Sequence, residues 1–418
     1  MKHSGIEWIG EIPKEWRIGK VKNYYSLQTG FTPDTKNELY YDDNGLPWVN
    51  ISDIGDSHYI NTTKKRISQY YISKYNPTIV PKGSLLYSFK LSVGTVAIAG
   101  IDLYTNEAIA SFLQGENVNL NYLFYSSQVC IIHNANENIY GAKLLNQDLI
   151  NNATILFPSL PEQQKIANYL DKVCGEVDEM IALQEQMIEE LKAYKQSVIT
   201  EAVTKGLNPG VSMKDSGIDW IGEIPENWKV IRIKYLLKER KERSDTGLEE
   251  PLSMSQKYGL IPTKEMDAIP NIASSFVGAK LVYRHDLVFN KLKAHLGVFA
   301  ESDYDGLVSP DYAVYYSSGL VDVKYLEYLF KSPQYIAEFI KLSTGVGAGL
   351  TRLYTSDLYS IYGIVPPIEI QREIVDYIRQ LSSEINTLIA IKQAKIEELK
   401  DYKKSVIYEY VTGKKEVV

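Results

Sequence analysis

Five histidines (His3, His58, His133, His285 and His295) and two cysteines (Cys130 and Cys174) are the side chains here best suited to hold a metal or act as a nucleophile. Metal sites repeat their ligands at short spacing, as in HExxH or CxxC, and none of the seven stands in such a pattern. We therefore expect no metal, no disulfide framework and two buried thiols. The glycine-rich TGVGAGL at 344–350 lacks the Gly-Lys-Ser/Thr ending and the strand-to-helix setting of a phosphate-binding loop. A close backbone approach or a plain turn is expected there. The Asn-Pro-Pro-aromatic set of amino-methylation is missing, and Glu190, Leu191 and Lys192 match the Glu-x-Lys of nucleases only inside a helical pattern. The chain reads as a non-enzyme.

What remains is charge. Lys64, Lys65 and Arg66 follow Asn61, Thr62 and Thr63, while Arg240, Lys241 and Arg243 interleave with Glu239 and Glu242. Lys90, Lys143, Lys291, Lys293 and Arg352 are further cations within the same two segments. Arginine can pair with guanine through two hydrogen bonds and lysine supplies charge to phosphates, so these eleven residues are the candidates for DNA contact, with simple solvation as the alternative. The net charge of −7 argues against a uniformly basic surface. It leaves a local basic groove open.

The elements that position these residues come in two copies. SGIEWIGEIP at 4–13 returns as SGIDWIGEIP at 216–225, and IEELKAYKQSVI at 188–199 returns as IEELKDYKKSVI at 396–407. Between these anchors the segments 20–155 and 232–363 differ, sharing only faint echoes such as GSLLYSFKLSVGTVAI beside HDLVFNKLKAHLGVFA. Both mix short β-rich runs with Gly, Asn, Asp and Pro turns, which predicts a compact mixed α/β domain in each half. A long helix follows each domain. Ser159, Pro161 and Glu162 read as a capping box opening the first, and Pro366 and Pro367 mark the start of the second, where Ile370 replaces Glu162.

Apolar residues at alternating steps of four and three predict a coiled-coil seam: Ile166, Leu170, Val173, Val177, Leu191, Tyr194 and Val198, then Ile374, Ile378, Leu381, Ile385, Leu399, Tyr402 and Val406. Gln184 and Lys392 place a polar residue at the same step of both copies. The second helix starts beside the second domain, so burying its stripe on the first helix makes the pair antiparallel. About 40 residues at 1.5 Å each make a spacer of roughly 60 Å. The expected fold class is α/β mixed (α+β): two globular domains, 1–158 and 208–365, separated by a long antiparallel two-helix coiled coil, 159–207 and 366–418, in a pseudo-twofold internal repeat. The opening MKHSGIEW has no apolar leader and no run of about 18 apolar residues spans the chain, so no membrane is expected and the location is cytoplasmic.

The paired SGIEWIGEIP and SGIDWIGEIP, the PSLPEQQKI helix start and the duplicated IEELK helix ends occur in an order and spacing that resembles the specificity (S) subunits of type I restriction-modification systems. The resemblance implies that each variable domain is a target recognition domain reading one half of a split double-stranded DNA target. It also implies that the helices set the gap and dock two modification (methyltransferase) subunits, with restriction subunits joining the full complex. Chemistry would then reside in those partners, with S-adenosylmethionine, ATP and Mg bound there and no cofactor in this chain. Two other classes remain open from the residues alone: a structural coiled-coil scaffold without sequence-specific reading, and a self-sufficient DNA methyltransferase or nuclease.

Overall fold

The computed structural model describes residues 1–417 apart from 56, 116–117, 257, 267–274 and 348–349. The chain divides into two compact units, Met1–Glu185 with Ala394–Val418, and Gln186–Gln393. Each unit therefore owns one globular domain and half of each long helix, because each helix half buries its apolar stripe against the domain at that end.

The two domains share a sheet order. In the first unit Ser26–Thr29, Ile109–Leu113, Leu85–Ser88 and Val96–Ala99 lie side by side, antiparallel throughout, and Tyr59–Ile60 adds a parallel fifth strand. In the second, Leu237–Glu239, Tyr312–Ser317, Leu287–Asn290 and Phe299–Glu301 repeat the four-strand order. The faint echo in the sequence covers the third and fourth strands of each order and is legible because these strands are largely buried, which favours continuous apolar runs. Beneath each sheet runs a short cross helix, Leu120–Cys130 or Val323–Phe330, capped by Asn119 or Asp322.

The SGIxWIGEIP segments form matching hairpins, Lys2–His3 with Glu11–Ile12 and Met213–Asp215 with Glu223–Pro225. Their shared glycines have a backbone reason: Gly10 and Gly222 sit at φ +68° and +73°, where a Cβ would be strained, and their carbonyls accept from Ser4 and Ser216 N–H at 2.8 and 3.0 Å. The long helices run Leu160–Lys205 and Ile368–Val411, 46 and 44 residues. Within each unit they are antiparallel. Val406, Ile407 and Val411 share a core with Ile166, Leu170 and Cys174 in the first unit, and Ile199 and Val203 share one with Ile374 and Ile378 in the second.

The seam departs from the strict heptad. Ile166, Leu170, Val177, Ile374, Ile378, Ile385, Leu399 and Val406 are buried, and Val173, Leu191, Val198 and Leu381 are half-buried. Tyr194 and Tyr402 instead turn outward, 57% and 53% exposed, and the half-buried Lys195 and Lys403 take their inner places. An α-helix repeats every 3.6 residues and a heptad every 3.5, so a straight pair drifts about 20° per heptad and the stripe steps one residue along. Cys174 and Ile188 are buried for the same reason.

Candidate nucleic-acid interface

In the first unit Lys65–Ile67 pairs antiparallel with Tyr41–Val49, and the three candidate cations on and beside this strand have different fates. Lys64 and Lys65 are exposed, with the Lys65 ammonium 5.3 Å from the centre of the Tyr41 ring. Arg66 is half-buried and its Nε donates to the Gly45 carbonyl at 2.7 Å, holding a strand kink where a Cβ on Gly45 would collide with the Ile67 carbonyl. The helix Gln69–Tyr75 beside it carries a group the sequence analysis missed. Lys74 lies 5.0 to 5.7 Å above the rings of Tyr40, Tyr70 and Tyr75, and the Tyr40 and Tyr75 hydroxyls are 3.0 Å apart. Three exposed lysines on an aromatic ledge offer phosphate charge and stacking surface together. The signal was the run QYYISKY, whose 3.6-residue spacing puts Tyr70 and Lys74 on one face.

Lys90 follows the strand Leu85–Ser88, half-exposed and 4.0 Å from Glu107. Lys143 lies in the hairpin Asn136–Glu137 with Lys143–Leu144, ion-paired to Glu137, and the hairpin tip exposes Ile139 and Tyr140 almost completely.

The second unit uses its cations differently. Arg240 donates from Nε and Nη2 to both oxygens of buried Asp286, at 2.7 and 2.9 Å, and from Nη1 to Glu242 at 3.0 Å, with Tyr283 and Tyr316 against its plane. Three of its five N–H donors, including the Nε–Nη2 pair that would face a guanine edge, are thus held by carboxylates in an internal clamp. Lys241 is exposed, and Arg243 donates to the Gly278 carbonyl. Lys280, absent from the sequence candidates, is buried 3.6 Å from Glu239; burial, then the charge of Lys291, holds its ammonium below the usual range. Lys291 accepts the Leu353 N–H at its carbonyl (3.0 Å), which ties the loop carrying Lys291 and the exposed Lys293 to the hairpin Thr344–Gly347 with Leu350–Arg352. Arg352 reaches Asp311 at 3.4 Å, and its Nε is buried without a hydrogen-bond partner among the described residues. The structure thus gathers Arg243, Lys280 and Lys291 into one electrostatic neighbourhood, and the main chain ties the Lys291 loop to the Arg352 hairpin. The glycine-rich stretch forms that hairpin, the counterpart of the one carrying Lys143; its residues 348–349 lie outside the described ones.

Both domains that carry these basic clusters stand on the same junction with the long helices. Gln163 accepts the Asn119 N–H at 3.0 Å and donates to the Pro158 carbonyl at 3.0 Å; Gln371 accepts the Asp322 N–H at 2.7 Å and donates to Pro366 at 2.8 Å. Tyr122 donates toward Leu156 and Val411 carbonyls at 3.2 and 3.4 Å, and Tyr325 toward Ile364 and Val203 at 3.1 and 2.9 Å. Every one of these four side chains is buried. The sequence carried the signal as Tyr-Leu-x-Tyr at 122–125 and 325–328 and as the glutamine ten residues or fewer beyond each proline pair. Glu162, placed by the sequence in a capping box, accepts the Trp16 indole N–H at 2.9 Å; its replacement Ile370 packs into the core of the second unit.

Cys130 and Cys174 are buried free thiols, pushed up to about 12 and about 11 by burial. Among the described residues no three His, Cys, Asp or Glu side chains gather as a metal site, and no helix is long and apolar enough to cross a membrane.

Residues 13–193, the first globular domain with most of the long helix that follows it, match the family model of the type I restriction modification DNA specificity domain. A putative type I restriction enzyme MjaX specificity subunit of Methanocaldococcus jannaschii is 27% identical over 443 aligned positions, covering 97% of this chain and 95% of the relative. Over nearly its whole length the chain is thus similar to a type I specificity subunit. The MjaIX specificity subunit of the same organism is 29% identical over 237 residues, 55% of this chain and 53% of that relative, so this match spans about half its length. Among solved structures, a chain from work on complex assembly and conformational transition of a type I restriction-modification system has a TM-score of 0.70 at 16% identity, covering 96% of this chain and 98% of that one. The HsdS subunit from Thermoanaerobacter tengcongensis has a TM-score of 0.52 at 16% identity, covering 99% and 100%. At such identities the likeness is one of fold.

Proposed function

We propose that this chain is a specificity subunit, the sequence-reading component of a type I restriction-modification complex, in which each globular domain is a recognition domain that reads one half of a bipartite double-stranded DNA target. The observation that carries this is the contrast between junction and surface. The two buried hydrogen-bonding side chains of the junction, a glutamine and a tyrosine, are repeated in both units, while the exposed faces carry lysines on an aromatic ledge in one and a lysine–arginine loop pair in the other. Two domains reading different half-sites need different surfaces on one scaffold.

In this proposal the long helices set the distance between half-sites and dock two modification subunits, with restriction subunits joining the full complex in the cytoplasm. The chain itself performs no chemistry; methylation with S-adenosylmethionine, and ATP- and Mg-dependent translocation and cleavage, belong to those partners. The test is methylome sequencing of cells in which residues 20–155 are replaced by the recognition domain of another specificity subunit. One half of the methylated motif should change and the other persist. A change in both halves, or in neither, would sink the modular assignment. A four-residue insertion in both long helices, one in each, should lengthen the gap between unchanged halves.

A further inference from the structure

Each globular domain carries a two-stranded hairpin and, beside it, the loop that joins the third and fourth strands of its sheet. In the first unit the hairpin is Asn136–Glu137 with Lys143–Leu144 and the loop is 89–95. A Cβ on Gly94 of that loop would lie 3.7 Å from the Ile132 methyl, four residues before the hairpin, so loop and hairpin stand together. In the second unit the hairpin is Thr344–Gly347 with Leu350–Arg352, and the loop 291–298 is tied to it through the Lys291 carbonyl. The loops are alike, each exposing a lysine and a leucine: Lys90 and Leu91 in the first, Lys293 and Leu296 in the second. The hairpin tips are not.

In the first hairpin the Asn138 side-chain oxygen accepts the N–H groups of Tyr140 and Ala142, each at 2.9 Å. The Gly141 N–H donates to the Asn138 main-chain carbonyl at 2.9 Å, and Gly141 supplies the φ of +77° that closes the turn. This fixed turn holds Ile139 and Tyr140 at its tip, where they are 91% and 87% exposed. Turn centres are ordinarily Gly, Pro, Asn, Asp or Ser, so two large apolar side chains there do nothing for the turn itself. Between the strands of the second hairpin the sequence has only Ala348 and Gly349, neither with a side chain larger than a methyl group.

A two-stranded ribbon fits the major groove of DNA, and the apolar feature that base edges present there is the C5-methyl group of thymine. Lys90, exposed on the adjoining loop, has the charge to hold a flanking phosphate. We propose that Ile139 and Tyr140 read thymine in the half-site of the first domain by packing on its C5-methyl group. This rests on the function proposed above and adds the class of base to it. The second domain, without such a tip, does not read its half-site in this way.

The probe is a duplex carrying the methylated motif found by methylome sequencing, bound by the parent chain in complex with its modification subunits and read by fluorescence anisotropy. Replacing one thymine with uracil removes the C5-methyl group and leaves base pairing intact. In the half that exchange of residues 20–155 alters, at least one such replacement should weaken binding about fourfold, the effect of losing one buried methyl-sized group. In the other half the change should stay within about twofold. Ile139→Ser combined with Tyr140→Ser, at two exposed positions that leave the cores untouched, should bind thymine and uracil duplexes equally, because protein and DNA then lose the same contact.

A first half-site without thymine on either strand would overturn the proposal. So would the absence of any uracil effect beyond about twofold in that half, or a uracil effect that survives undiminished in the double variant. Weaker binding of both duplexes by the variant, with no uracil effect in the parent, would make the tip a wedge between base steps instead. A parent complex that binds the motif duplex no more tightly than a scrambled one would defeat the function proposed above, and thymine reading with it.

Discussion

In the first unit Lys403 donates to both oxygens of Asp178 at 2.7 Å across the helix pair; in the second, Lys195, 208 positions earlier, donates to Asn386 at 3.1 Å, and Asn386 lies 208 positions after Asp178. The same crossing is made once with an ion pair and once with an amide. A parallel difference lies in the cross helices, five residues C-terminal to each cap. Phe124 is stacked by His58 at 3.9 Å, while its counterpart Glu327 is buried between Lys331 at 2.6 Å and Lys324 at 2.9 Å. Backbone positions and the buried clamps are held alike, and side chains that merely complete the packing are free to change character. That division is what the proposed function, two different reading surfaces on one scaffold, requires.

Removing a shared clamp should hurt both units most and similarly. Tyr122→Ala and Tyr325→Ala each delete a fully buried ring and should cost about 3–5 kcal/mol, read by urea denaturation. A loss under about 1 kcal/mol in either would break the equivalence of the two junctions. The glutamines come next. Gln163→Ala and Gln371→Ala leave a buried N–H and carbonyl unpaired and should each cost about 1–3 kcal/mol. Gln371 also donates to the Leu320 carbonyl at 3.3 Å, so its replacement should be the more damaging of the two.

Acid should separate the units. Burial holds the His58 imidazole below its usual value, with Asp171 pulling it the other way and Lys403 adding to the depression. The folded state then binds that proton less well than the unfolded chain, so this contribution is complete above about pH 6.5 and is lost as pH falls below it. For Glu327 burial pushes the carboxyl up, but Lys331 and Lys324 outweigh it and hold the group below its usual value. Its contribution is complete above about pH 4.3 and is lost below that. Pulse proteolysis across pH 7 to 3 should therefore register loss of the first unit's stability before the second's. His58→Phe should remove the upper window alone, and an unchanged profile in that variant would assign the window elsewhere.

The smallest effect lies at the crossing. Lys403→Met should cost the first unit about 0.2–1 kcal/mol, because its pair with Asp178 is exposed, and the cost should shrink at 1 M salt. Lys195→Met should show no such salt dependence, its acceptor being neutral. Equal salt dependence at both crossings would erase the distinction between ion pair and amide.

Much of this molecule is legible in its one-dimensional order. Duplication of the hairpin and helix ends, the antiparallel helix pair and the mixed α/β domains follow from repeats, periodicity and turn residues, because these act over neighbouring positions or are copied whole. The wider basic candidates were legible only as residue types. Arg240 and Arg66 look as free in the sequence as Lys64 and Lys65, and only the fold brings Asp286 and the Gly45 carbonyl to their guanidinium groups. Lys280 and Lys74 gained their settings the same way, from Glu239 and Lys291 in one case and three tyrosine rings in the other. The seam shows the limit most simply: composition determined that an apolar stripe runs the length of each helix, but the drift between 3.6 and 3.5 residues decided that Lys195 and Lys403 lie inward and Tyr194 and Tyr402 outward. Local physics is written in adjacent letters, whereas which partner a charged group meets depends on segments that only tertiary packing brings within about 3 Å.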